Sequence, residues 1–180
     1  MDKRKVYYEG RGQMVSSLLS DLDTFIPAMR NKEAQEIKDI DKMAVEDAVR
    51  YSYEAAQKRF SYIVDGQILV IAGVADLPSN AVISRRLSLL DGKGGIPYLF
   101  SVDASTGYKF EIARSCAPIL FREIKEGYDF LTIWVAEYMT ELFKLASLGG
   151  FKPVERGVHP ISKAIFIRVA WHRDWEEVRQ

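Results

Sequence analysis

Asp103, Ser105, Thr106 and Gly107 stand in a short polar turn, Asp103-Ala-Ser-Thr-Gly-Tyr108, between an apolar run, Gly95-Ile-Pro-Tyr-Leu-Phe-Ser-Val102, and a helical pattern that starts at Lys109. Small residues at a helix start let backbone N–H groups approach an anion closely. Asp103 at the mouth of that turn would repel one. The aspartate suits two jobs: general base, directly or through a water, and helix N-cap, the commoner use of the residue type, for which Ser105 and Thr106 compete. Glu137 and Tyr138 close the next apolar run, Asp129 to Ala136. Glu137 then lies where open sheets bind ligands, outside the carboxyl ends of strands, and a helix-start acid is equally explained by the macrodipole. Tyr138 could donate a proton or pack half-buried.

Other candidates weigh less. Cys116 has no histidine near it in sequence, and a nucleophilic thiol needs a base and exposure; core packing is the better reading. His159 and His172 could shuttle protons but stand apart. Two histidines and one cysteine give no ligand set at metal-site spacing and no internal disulfide, so no metal is expected. With 25 basic and 25 acidic residues the chain has no overall field for nucleic acid, so Lys3-Arg4-Lys5 and Arg85-Arg86 read as a solvated arm and loop. Trp171, His172, Arg173 and Trp175 suit either a partner surface or a strand-edge cover. No run reaches the ~18 apolar residues of a membrane span, and the start has no secretory pattern, so a cytoplasmic protein is expected.

These residues need elements to hold them. The first twelve residues read as a polar arm, and residues 13–180 as one domain, long enough for a single core. A short strand is expected at Gln13 to Leu19, a helix over roughly 23–31 with Pro27 in its first turn, and a helix from about Ala44 to Lys58 on an apolar face spaced for α structure. Asp65-Gly66 between two β-rich runs signals a hairpin. Residues 77–94 read as a loop with a helical turn near 81–89. Lys109 to about Gly127 is helical in pattern, with Pro118 bending it around Arg114–Pro118. The run 129–136, apolar on both faces, reads as the central strand. A helix from about Glu137 to Leu148, capped by Gly149-Gly150, a final strand over 164–170 and a charged tail complete the chain.

The order helices, hairpin, then strand–helix–strand–helix–strand resembles the GNAT superfamily of acyl-CoA N-acyltransferases over most of the chain. Ala28-Met-Arg30 with Glu33 and Glu36, Gly95-Ile-Pro-Tyr-Leu-Phe and Leu148-Gly-Gly-Phe151 are similar, in type and spacing, to blocks of the GNAT-like internal virion proteins of short-tailed bacteriophages. The resemblance implies an α/β (α+β) fold, a mixed twisted sheet of about six or seven strands with helices on both faces. It implies acetyl-CoA at Ser101, Val102, Asp103, Ala104, Ser105, Thr106, Gly107 and Tyr108, with an unknown amine as acceptor and Asp103, Glu137 and Tyr138 as catalytic candidates. A backbone N–H of the strand ending Ser101-Val-Asp would hold the oxyanion. It also implies an alternative, a virion assembly protein that keeps the fold without catalysis and contacts other virion proteins. Two departures bear on activity. The Arg/Gln-x-x-Gly-x-Gly/Ala phosphate turn is reduced to Asp103-Ala-Ser-Thr-Gly-Tyr-Lys-Phe, and Ala146 fills the position of the tyrosine that serves many members as acid, leaving Tyr138 as the nearby substitute.

Overall fold

The computed structural model describes residues 4–40, 43–78 and 92–177. Eight strands among them, β1 (Val6–Glu9), β2 (Gln13–Ser16), β3 (Ala56–Val64), β4 (Gln67–Asp76), β5 (Gly94–Ser101), β6 (Phe130–Ala136), β7 (Lys152–Val158) and β8 (Ile165–His172), form one sheet. Its order is β1-β2-β3-β4-β5-β6-β8-β7. The helices are α1 (Asp21–Phe25), α2 (Asn31–Ile40), α3 (Val45–Ala55), α4 (Lys109–Glu111), α5 (Ala117–Lys125), α6 (Thr140–Leu148) and α7 (Asp174–Glu177). The expected α/β class holds, with a sheet slightly wider than expected. The segment read as a polar arm supplies β1, which pairs antiparallel with β2.

Local chemistry accounts for the elements that were anticipated. Asp65 and Gly66 take φ of 48° and 79°, the paired positive values of a tight hairpin turn whose twist matches the strands it joins. The bend expected near Pro118 is a π-helical turn, Ile112–Cys116, with the proline in the first turn of α5. A missing proline N–H removes an intrahelical bond, and the wider turn takes up the slack. Gly150, with φ of 78°, turns the chain after α6.

Three readings are corrected. The innermost strand is β4, buried continuously from Ile68 to Val74, whereas β6 keeps Ile133 and Trp134 half-exposed. Trp171 belongs to β8 rather than to a tail: it pairs with Leu131 and is buried, covering the sheet from within. The helix expected over 23–31 is shorter; α1 is followed by a 3-10 turn, Ile26–Ala28, before α2 begins. The Arg85-Arg86 loop lies outside the described residues. No helix among the described residues is long and apolar enough to cross a membrane.

The feature that positions a site is the junction of β5 and β6, the one parallel pair among the described strands. Only Gly94↔Phe130 and Gly95↔Leu131 are in register. A Cβ on Gly94 would meet the Phe130 ring at 2.4 Å, and one on Gly95 would meet Leu131 at 2.7 Å, so the glycines permit the close approach. Pro97 has no N–H with which to extend the ladder, and the strands diverge toward their carboxyl ends. The opposite edge of the fold is held by Asp21, which is 2 % exposed. It accepts two hydrogen bonds from Arg4, at 2.7 and 2.6 Å, and others from the Ser61 and Ser17 hydroxyls and Leu18 N–H.

Burial pushes the Asp21 carboxyl up, but the Arg4, Ser61 and Leu18 donors outweigh it and hold it below the usual range. A group depressed in this way stabilises the fold above about pH 4, and that contribution is lost as pH falls through the folded-state value. Asp21→Ala is expected to lose about 3 kcal/mol in urea unfolding at pH 7, because it strands a partly buried guanidinium. A loss under about 1 kcal/mol would show that the clamp is dispensable.

Candidate functional site

Where β5 and β6 part, their last backbone donors lose the partners a continuous ladder would give. Side chains of α2 replace those partners. Glu33 accepts hydrogen bonds from both the N–H and the hydroxyl of Ser101, and Glu36 Oε1 accepts one from Ala136 N–H at 2.6 Å. Residues 33 and 36 are three apart on the helix and so share a face, which places one carboxylate at the end of each diverging strand. Arg30 N–H in turn bonds Ser101 C=O at 3.0 Å, joining the start of α2 to β5.

A cleft of about 470 Å³ opens here between the turn after β5 and helix α6. Its floor is Glu33, Arg30, Ser101 and Val70, one wall Ser105, Thr106, Ile112 and Ala113, and the other Met139, Leu142 and Leu145. Lys109 and Lys144 stand at the rim with Phe110, 79 % exposed, and Leu148, 64 % exposed. Glu33 is 4 % exposed. Burial raises its carboxyl to about 7 against the opposing Ser101 hydrogen bonds and Arg30. Burial likewise raises Glu36 to about 7, against the Ala136 N–H and with help from Glu33 and Asp39. Arg30 is held loosely, 3.6 Å from Asp103 and 3.9 Å from Glu141, and its Nε is buried with no hydrogen-bond partner.

The residues singled out from sequence divide. Ser101, Ser105 and Thr106 line the cleft. Val102 is buried with its N–H donated to Leu69 C=O, Ala104 and Gly107 are exposed, and Tyr108 packs edge-on against Tyr62 under Arg11. Asp103 is exposed and turned to Arg30; the 3-10 turn Asp103–Tyr108 has no side-chain cap, so the capping role expected of Asp103, Ser105 or Thr106 is not taken up. The oxyanion donor expected at the end of β5 is already engaged, Ser101 N–H by Glu33 and Val102 N–H by Leu69. Glu137 pairs with Arg156 at 3.2 Å outside the cleft and precedes the first turn of α6 by three residues, which removes the macrodipole reading as well. Tyr138 donates to Asp39 at 3.0 Å, and burial and that carboxylate raise its phenol, making it a weaker acid. Cys116 is buried, its thiol pushed up to about 12.

Glu33, Arg30, Lys109 and Lys144 were not assigned roles from sequence. The signal for the first two was present: both fall in the Ala28-Met-Arg30 block with Glu33 and Glu36. The two lysines carry no local signal, since α6 and the turn after β5 meet only in the folded chain.

No family model matches the sequence, and no curated protein matches it. Solved structures do. The chain is similar to an N-acetyltransferase from Staphylococcus aureus Mu50, with TM-score 0.63 and 14 % identity over 91 % of this chain and 99 % of that one. A GCN5-related N-acetyltransferase from Kribbella flavida matches with TM-score 0.61 and 14 % identity over 90 % and 98 %. An aminoglycoside N(6')acetyltransferase from Legionella pneumophila matches with TM-score 0.62 and 6 % identity over 96 % and 98 %. At these identities the likeness is one of fold, and the fold is that of the GNAT acetyltransferases.

The two raised glutamates make a pH prediction. Folded values of about 7 lie above the ~4.3 of an unfolded glutamate, so their contribution to stability is complete below about pH 4 and is lost as pH rises through 7. The unfolding free energy should therefore fall between pH 5 and pH 8 by on the order of 5 kcal/mol, and Glu36→Gln should remove roughly half of that slope. Parallel profiles for the variant and the parent would show that Glu36 does not titrate in this range.

Proposed function

We propose that the cleft between the turn after β5 and helix α6 binds an acyl-CoA thioester and that the protein is an N-acyltransferase of the GNAT type. The observation that carries this reading is the cleft itself: an apolar-walled slot at the strand divergence with two lysines at its rim and a buried carboxyl of raised affinity for protons on its floor. The residues fit the cofactor's chemistry part by part. Lys109 and Lys144 suit its phosphates, the exposed faces of Phe110 and Leu148 suit its adenine, and Met139, Leu142 and Leu145 suit the hydrocarbon of its arm. When bound, acyl-CoA supplies the activated carbonyl.

The chain's own groups would do the rest. Glu33, balanced near neutrality, takes a proton from an amine at the cleft floor. Ser101 holds that carboxylate in one orientation through two hydrogen bonds. Arg30, whose buried Nε makes no hydrogen bond and faces Asp103 only at 3.6 Å, offers positive charge where negative charge develops, a task the engaged backbone donors of β5 leave open. In this reading Asp103 tunes Arg30, and Tyr138 stays outside the reaction.

A second reading rests on its own observation. Glu33 and Glu36 occupy the strand-end donors Ser101 N–H and Ala136 N–H, which is how a fold would seal a splay it no longer uses. With Ala146 in place of a proton donor, this favours the non-catalytic alternative, a phage assembly protein that contacts other virion proteins, for which the three short sequence blocks are the support.

Calorimetry with acetyl-CoA separates the two. The enzymatic reading expects saturable binding, weakened about tenfold or more by Lys109→Ala or Lys144→Ala if each lysine makes a charge-assisted phosphate contact. It further expects Glu33→Gln to lower turnover by about 10²–10⁴ with little change in binding, and Tyr138→Phe to leave turnover intact. Absence of any binding would leave the assembly reading standing.

A further inference from the structure

We propose that the acyl end of this site is built for a short hydrocarbon chain of about four to six carbons rather than for acetyl; the inference rests on the thioester reading above. Beneath the cleft, between Pro97 and Leu99 of β5 and Ile133 and Val135 of β6, lies a second cavity of about 60 Å³. It shares Leu99, Leu142 and Leu145 with the cleft as common walls, so the two spaces adjoin at the place where the strands part. Ala146 of α6 and Phe151 help to close its far side.

Its lining is hydrocarbon. The one residue there with a polar side-chain atom is Tyr98, and its hydroxyl lies against β4, where a Cβ on Gly73 would meet it at 2.6 Å. A cavity without polar partners stays dry and matches an apolar occupant. Since a water-sized group needs roughly 10–15 Å³ of such space, the cavity takes about four of them, which is the tail of a butyryl-to-hexanoyl chain and more than the single methyl of acetyl. Protein interiors otherwise close such voids. The neighbouring gap around Met14, Cys116 and Leu120 is down to about 20 Å³. Ala146 is the smallest side chain on this wall, beside the larger Leu142 and Leu145 of the same helix, and a bigger residue there would fill the space.

The experiment measures the affinities of the full chain for CoA, acetyl-CoA, butyryl-CoA and hexanoyl-CoA by calorimetry. Affinity should rise about fourfold for each methylene added beyond acetyl, up to hexanoyl, with free CoA as the baseline. Ala146→Leu should abolish the gain with chain length and leave the affinity for free CoA unchanged. Ile133→Phe, which narrows the cavity from the strand side, should do the same and serves if Ala146→Leu does not fold. Equal affinities for the three thioesters, with free CoA still bound, would overturn the inference and leave the acyl-CoA reading intact. A gain that persists in both variants would overturn it too. Failure of CoA and every thioester to bind would instead defeat the acyl-CoA reading, and this inference with it.

Discussion

Two backbone amides at the ends of diverging strands set the terms for the rest of this molecule. Once β5 and β6 separate after Gly95↔Leu131, Ser101 N–H and Ala136 N–H have no strand to bond, and an unmet buried amide is costly. Helix α2 answers with a carboxylate for each. Its buried side chains are Glu33 and Ile37, so the helix is docked by hydrogen bonds to the sheet as much as by apolar area. The splay is thereby kept open without being left unsatisfied, and the cleft exists because the gap is bridged from below rather than closed from the side.

Satisfying the amides with carboxylates gives the cleft an electrostatic gradient. The floor carries the desolvated Glu33, and the rim carries Lys109, Lys144 and Glu141. Fully ionised, Glu33 would add a negative charge to the floor. Desolvation lifts Glu33 to about 7, so near neutral pH much of that charge is absent. Arg30 adds a cation between the two zones, held at long distance by Asp103 and Glu141 and so available to reorient.

Much of the architecture was legible in the sequence because it is written in local rules: the Asp65-Gly66 hairpin, the break before Pro118, the turn after β5, and the strand–helix order of the second half. Helix α2 was not. Asn31-Lys-Glu-Ala-Gln-Glu-Ile-Lys-Asp-Ile40 has few apolar residues, and periodicity finds helices by their apolar faces, whereas this helix buries a glutamate. The cleft lies beside the polar turn singled out in the sequence, but the directions of the side chains around it were not legible. Asp103 and Tyr138 have the right chemistry and adjacency, but side-chain direction turns the first to Arg30 and the second to Asp39, and sequence carries no sign of either partner. Trp171 read as tail because its burial depends on pairing with Leu131, forty residues away in sequence.

The comparison of Asp21 with Glu33 shows why a buried carboxyl cannot be assigned a role from its burial. Both are almost fully enclosed, at 2 % and 4 % exposure, and both accept hydrogen bonds from backbone and serine. Asp21 also meets a guanidinium in two-point contact, which with the Ser61 and Leu18 donors outweighs desolvation and holds it below the usual range. Glu33 has chiefly neutral donors, with Arg30 too distant to do the same, and desolvation prevails. One carboxyl is thus a clamp that holds β1 and β2 to the body of the protein across physiological pH. The other can exchange its proton there, the property a base in an acyl-transfer site requires, and the position of a single arginine decides which is which.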